Sequence, residues 1–210
     1  MSRKRTLWDR IEEEALDGDL VKALRLCLKL GGEAKSVELR RWATKELNGY
    51  DGDPELPGYR LTGAQLVVDT GTVGGFMRGQ PISVWDLPDF AQDQMSNEVE
   101  LRHRVFQLVS LSHSSEPLCF SPPGAAELVK LMNMSGNYLP NIIDIYWKVH
   151  PTSVVAAVDS IRTSFVGVVA ELRGGMTHIS SMTTSRRWPT AWMLVTVRPR
   201  CGPNPNLATS

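Results

Sequence analysis

Ser36-Val37-Glu38-Leu39-Arg40-Arg41-Trp42-Ala43-Thr44-Lys45-Glu46-Leu47-Asn48-Gly49-Tyr50 carries a whole helix with both of its ends, and after it the chain stops being helical. Ser36 can cap the first turn by accepting a hydrogen bond from one of its free N–H groups. Leu39, Trp42, Ala43 and Leu47 recur at helical spacing and make one apolar stripe. Asn48-Gly49 supplies the stop, in a left-handed conformation that a Cβ would strain. Glu46 falls in the last turn, where the helix dipole disfavours a carboxylate. A carboxylate kept there implies a specific partner, with Arg60 and a tyrosine hydroxyl as the candidates.

Two more helices precede this one. Leu7, Ile11 and Ala15, with Leu16 beside them, predict an amphipathic helix over 6–17. Asp17-Gly18-Asp19 breaks it, and Asp19 can cap a second helix bearing Leu20, Val21, Leu24, Cys27, Leu28 and Leu30, ended by Gly31-Gly32. Three such short helices cannot bury their stripes alone, so the cluster must dock on later parts of the chain.

Beyond Tyr50 the sequence changes character. Asp51-Gly52-Asp53-Pro54 and Leu56-Pro57-Gly58 are turn sequences. Strands are expected at 61–69 and 81–85, joined by a glycine-rich connector over 71–79, and a longer helix from Pro88-Asp89 to Val109. Leu118-Cys119-Phe120 reads as a short buried strand. Ser121-Pro122-Pro123 starts a helix over 125–132. Residues 142–149, β-branched and aromatic, carry the strongest strand signal. Val154, Val155, Val158, Ile161, Phe165, Val168, Val169 and Leu172 then form a clean helical stripe. The fold class is α+β: an N-terminal cluster of three short helices, a small central set of strands and a long packed C-terminal helix.

Charge marks the boundary. The 210 residues balance 23 Lys/Arg against 23 Asp/Glu, which excludes a strong overall pull toward nucleic acid or anionic membrane. Residues 61–173 hold 7 basic against 11 acidic groups, whereas 174–210 hold Arg186, Arg187, Arg198 and Arg200 and no acid. The expected organisation is therefore a domain over 6–176 and a basic, poorly ordered tail over 177–210, with one short strand in 192–197. The most apolar stretch, 154–172, is interrupted by Asp159, Arg162 and Glu171, so no bilayer span is expected. Acidic residues come after the basic N-terminus where a signal peptide needs an apolar region. Cys27, Cys119 and Cys201 are too scattered for a framework and read as reduced thiols in a cytoplasm.

Few residues suggest chemistry. Asp69-Thr70-Gly71, preceded by Leu66-Val67-Val68, resembles the catalytic turn of retroviral-type aspartic proteases, in which two chains each supply one Asp and the pair shares a proton. The helical N-terminal half and the helix after Pro151 leave no room for that all-β architecture, and Asp-Thr-Gly is also ordinary strand-to-turn sequence. Gly71-x-x-Gly74-Gly75 lacks the Gly-Lys-Ser/Thr of a phosphate loop. His103, His113, His150 and Cys119 match no zinc spacing, so neither a metal nor a cofactor is expected. Ser112-His113-Ser114-Ser115 reads as a polar loop. Arg40, Arg41 and Lys45 share their helix with Glu38 and Glu46, which favours a solvated face over a nucleic-acid footprint.

The block from Leu39 to Tyr50, with Glu55-Leu56-Pro57-Gly58-Tyr59-Arg60 after it, resembles the W-x-x-x-E-L-N-G-Y … L-P-x-Y-R signature of the AbiTii domain of bacterial abortive-infection proteins. The first helix, Leu118-Cys119-Phe120-Ser121-Pro122-Pro123, Ile145-Tyr146-Trp147 and the final helix to Gly174-Gly175-Met176 fall in the same order. The resemblance implies a domain carried by phage-defence proteins and brings no catalytic residue with it. Trp42, Glu46, Leu47, Asn48, Gly49, Tyr50, Pro57, Tyr59 and Arg60 are its signature positions, with Asn48-Gly49 as helix stop and Tyr50 and Tyr59 clamping the next turn. The expected function is a non-enzymatic, cytoplasmic defence module that meets a protein partner or itself, with no membrane. The alternatives are a homodimeric protease built on Asp69 and a nucleic-acid-binding domain using Arg40, Arg41 and the basic tail.

Overall fold

The structure, a computed structural model, describes residues 6–16, 18–33, 36–93, 95–135 and 141–174, together with the backbone of 185–186 and 196–198. Its helices are α1 (Leu7–Leu16), α2 (Leu20–Glu33), α3 (Val37–Asn48), α4 (Asp89–Gln92), α5 (Val105–Ser112), α6 (Ala125–Met134) and α7 (Pro151–Arg173). Its strands are β1 (Leu56–Pro57), β2 (Leu61–Gly63), β3 (Gln65–Thr72), β4 (Gly75–Pro81), β5 (Glu98–Glu100), β6 (Leu118–Ser121), β7 (Asn141–Val149), β8 (Ser185–Arg186) and β9 (Thr196–Arg198). The fold is α+β. The chain divides into two units: 1–60 with 101–112 and 155–187, and 61–100 with 113–154 and 188–210.

The first unit is built on the three N-terminal helices. Asp19 caps α2, its Oδ1 accepting from Val21 N at 2.9 Å and Lys22 N at 3.2 Å. Ser36 caps α3 through Leu39 N at 3.3 Å. Gly31-Gly32 does not end α2, which continues to Glu33. Gly31 is buried instead, and a Cβ there would lie 2.6 Å from Arg40 Cγ, so this glycine serves close approach to α3. Along α3, Leu39, Trp42 and Ala43 are buried as the stripe requires, but its fourth buried position is Glu46, and Leu47 is only half-buried.

From Val155 onward α7 supplies the surface on which the cluster docks. Ala157, Ile161, Phe165, Val168 and Val169 are buried, and the Phe165 ring stacks on Trp42 at 5.8 Å. Complete burial of Ile161 and of Phe165 stabilises the unit by about 2 kcal/mol each. Arg162, an interruption in the apolar sequence, donates to Ala15 O at 2.7 Å and to Gly18 O at 3.1 Å. It thereby satisfies orphan carbonyls at the end of α1 with a cation, the charge that a helix C-terminus favours. Contrary to the expectation from sequence, α7 does meet the length and hydropathy of a bilayer span, with a mean hydropathy of 1.5. The charges do not exclude it because the apolar part of α7 before Glu171 carries only Asp159 and Arg162. One-sided burial and a bonded Arg162 are nevertheless features of a core helix.

The second unit holds a five-stranded antiparallel sheet in the order β4-β3-β7-β6-β9, and a separate pair, β2 with β5. Its central strand β7 is the one with the strongest sequence signal. Asn133 of α6 clamps the start of β7, donating to Ile142 O at 2.8 Å and accepting from Ile142 N at 2.9 Å.

Several expectations are corrected in this unit. The strand expected at 61–69 is two strands that pair with different partners, β2 with β5 and β3 with β4 and β7. The glycine-rich connector is mostly strand β4, hairpinned onto β3, while 81–85 leaves the sheet at Pro81 and turns at Val84–Asp86. Pairing with β3 supplies order that the side chains of β4 do not encode. The single helix expected over 88–109 is α4, β5 and α5. Ser96 interrupts it, its hydroxyl donating to Glu98 O and accepting from Glu98 N, a local arrangement that competes with helix.

The thiols also differ from expectation. Cys27 is free and buried, its pKa pushed up to about 12 by burial. Cys119 is disulfide-bonded, which corrects the reading of it as a reduced thiol. The tail over 177–210 lies outside the described residues except for β8, paired with β1, and β9, paired with β6. Of the strand expected in 192–197, only Thr196 and Val197 lie within the described residues, and both belong to β9.

Candidate functional site

The most elaborate polar arrangement in the first unit is centred on Glu46. The helix stripe directs this carboxylate into the core, and Tyr50, Tyr59 and Arg60, from the segment after α3, converge on it. Glu46 Oε1 accepts from Tyr50 OH at 2.7 Å and Tyr59 OH at 2.8 Å, while Oε2 pairs with Arg60 Nη2 at 2.5 Å. Trp42 Nε1 donates to Tyr59 OH at 2.9 Å. Both partners anticipated for Glu46, the arginine and the tyrosine hydroxyls, are therefore present together.

Arg60 is fully buried and holds more than its carboxylate. Nη1 donates to Leu101 O at 2.7 Å and His103 O at 2.6 Å, and the guanidinium lies 4.7 Å from the centre of the Tyr50 ring. Its Nε is buried without a partner. Arg102 answers from the other side, donating through Nη1 to Tyr50 O at 2.8 Å and Asp53 O at 2.7 Å. Nothing in the sequence spacing announces these partners, some 41 to 52 residues away from the groups they meet.

The electrostatics keep the two phenols of the network protonated. Burial, and then the Glu46 charge, raise the Tyr50 phenol far above its ordinary value, and the same two causes raise Tyr59. Both phenols therefore remain donors across the physiological range. His103, whose carbonyl Arg60 uses, has its imidazole pKa lowered by burial. Each Glu46 oxygen is engaged, so the cluster offers no open carboxylate to a substrate.

The remaining signature residues surround this cluster. Gly49 stops α3 with φ 87 and ψ 177, its N–H reaching Lys45 O at 2.8 Å. The positive φ agrees with the sequence, but the backbone is extended there and not left-handed helical. Asn48 is exposed, and Pro57 sits on β1 opposite Ser185.

In the second unit, Asp69-Thr70-Gly71 lies inside β3 and not at a turn. Asp69 is 4% exposed and is flanked by β4 and β7. The pairing with β4 shifts register between Val68 and Thr70, and Gly79, at φ 63, turns its N–H to Asp69 Oδ1 at 2.7 Å. Tyr146 OH donates to the same oxygen at 2.9 Å, and Oδ2 is buried without a partner. Asp144 stands directly across on β7, also buried. This carboxylate organises a β-bulge and is not presented where a second chain could contribute its own Asp.

Other candidates are dispersed. Ser112 donates to Val109 O at 2.8 Å and not to an imidazole. Lys45 is paired with Asp53 at 2.6 Å, leaving Arg40 and Arg41 exposed on α3. Among the described residues no three His, Cys, Asp or Glu side chains are grouped to hold a metal ion. Compared with known proteins, residues 6–187 match the family model AbiTii, most of the chain. No curated protein and no solved structure matches.

Proposed function

The chain belongs to the AbiTii family of abortive-infection, phage-defence proteins, and from that premise we propose that it is a non-enzymatic module acting by contact with another protein or a second copy of itself. Its task is sensing infection or coupling to an effector, without a cofactor. The Glu46 cluster, with every carboxylate oxygen engaged, serves to hold α3 and the turn after it, a structural role for the signature residues.

The observation that carries the contact reading is the edge of the five-stranded sheet. Among the described residues β4 is the terminal strand of that sheet, and on its hairpin Val73, Phe76 and Met77 are exposed. Edge strands in natural proteins are blunted by charges or proline, because their free N–H and C=O groups template another chain. β4 has only Arg78 within it and Pro81 at its end. A strand edge that also presents large apolar side chains suits addition of a partner strand.

The test is phage plating efficiency on cells expressing the chain against empty vector. Phe76→Lys combined with Met77→Lys is expected to abolish protection while leaving the melting temperature within a few degrees, because both side chains are exposed. Protection retained by that folded variant would remove the edge from the reading. Asp69→Asn is expected to keep protection. Asparagine still accepts from Gly79 N–H and Tyr146 OH, and the unpartnered amide it buries costs about 1–3 kcal/mol. Loss of protection in a folded Asp69→Asn protein would instead favour acid–base chemistry at this carboxylate.

A further inference from the structure

We propose that the second unit binds a small phosphomonoester, of the size of a mononucleotide, in a cavity of about 350 Å³ lined by Gly63, Gln65, Pro117, Lys148, His150 and Ser153. This site goes beyond the contact reading and does not depend on it. The volume is at the small end of ligand pockets, enough for a phosphate and a ring.

The lining is one-sided in its chemistry. Gln65 and Lys148 face each other in register across β3 and β7. The Lys148 ammonium makes no hydrogen bond or ion pair with the described residues, and among those residues no carboxylate lines the cavity. His150 is held in a defined tautomer. Thr152 N–H, which can only donate, points to His150 Nδ1 at 3.3 Å, and the Thr152 hydroxyl lies 2.7 Å from the same nitrogen. Nδ1 is thus the acceptor, so the neutral ring carries its proton on Nε2 and offers it as a donor. The Ser153 hydroxyl and the Gln65 amide likewise have no partner among the described residues. A site whose described lining offers a cation and several donors that bond no other described side chain, and no acid, selects an oxyanion.

The backbone at the start of α7 does not provide the binding. Pro151 has no N–H, Ser153 N bonds His150 O at 2.9 Å, and Thr152 N is engaged with the imidazole. Recognition rests on the side chains, which makes it open to mutation.

Calorimetry on the full chain at low salt, with inorganic phosphate, AMP, adenosine and a 5′-phosphorylated oligonucleotide as probes, tests the proposal. Phosphate and AMP are expected to bind and adenosine not to. Lys148→Met is expected to weaken AMP about tenfold or more, as loss of a charge-assisted hydrogen bond does. His150→Ala, a second variant at an exposed position, is expected to weaken it severalfold, and both should melt like the parent chain. No binding of AMP or phosphate, equal binding of adenosine, or wild-type affinity in folded Lys148→Met would each overturn the proposal. Binding of the oligonucleotide without AMP would overturn it in favour of a nucleic-acid end.

Discussion

Arg60→Met is expected to destabilise the protein by about 3–5 kcal/mol, because it leaves the Glu46 carboxylate buried and without its countercharge. Both side chains are fully buried, so solvent cannot compensate, and Leu101 O and His103 O lose their donor at the same time. The shape of the side chain is nearly kept, which assigns the loss to charge and hydrogen bonding more than to a cavity. Glu46→Gln is damaging for the mirrored reason. Its amide oxygen still accepts from Tyr50 and Tyr59, but the guanidinium becomes an unpaired buried charge.

Combining the two separates a coupled pair from two independent residues. With neither charge present, the double variant buries no uncompensated ion and is expected to be clearly less destabilised than the sum of the single changes. Urea unfolding followed by circular dichroism measures all four proteins. Strict additivity would mean that the ion pair is not what holds α3 to the turn after it.

Gly49→Ala is expected to cost about 3 kcal/mol, and Gly49→Asn no less. The φ of 87 with ψ of 177 belongs to a region open essentially to glycine alone, at a cost of about 1–3 kcal/mol for another residue. A Cβ would also lie 2.8 Å from Arg102 O, an atom that already accepts from Tyr50 N–H at 2.8 Å. Asparagine, which tolerates the left-handed helical region, gains nothing because ψ is wrong for it. Gly52, at φ 74 with open space around its absent Cβ, is the control position, and Gly52→Asn should cost less. Equal melting temperatures for the Gly49 variants and the parent would show that the chain can leave α3 by another route.

The legible parts of the fold are those whose causes lie within about ten residues of each other. Asp19 and Ser36 mark the starts of their helices because a cap acts on the next turn, and the α1, α2, α3 and α7 stripes repeat every three or four residues. The run from Trp42 to Tyr50 is legible in the same way, and a carboxylate at Glu46, in a last helical turn, is enough to imply a buried partner. The same local reading fails at β4. Its glycines carry no alternating pattern, and only pairing with β3 makes that segment a strand.

The sequence by itself determined the helical entry, the stop at Gly49, the central strand β7, the long last helix and membership of the signature block. Tertiary structure alone decided that Arg60 reaches the carbonyls of Leu101 and His103, and that the segment after Pro88 divides into helix, strand and helix. It also decided that Asp69 lies in a bulge and that Lys148, His150 and Gln65 meet around one cavity. The physical reason is range. Capping, propensity and stripes are free energies of neighbouring residues and are written in their order, whereas burial of a charge or the sharing of a cavity depends on residues that only folding brings together.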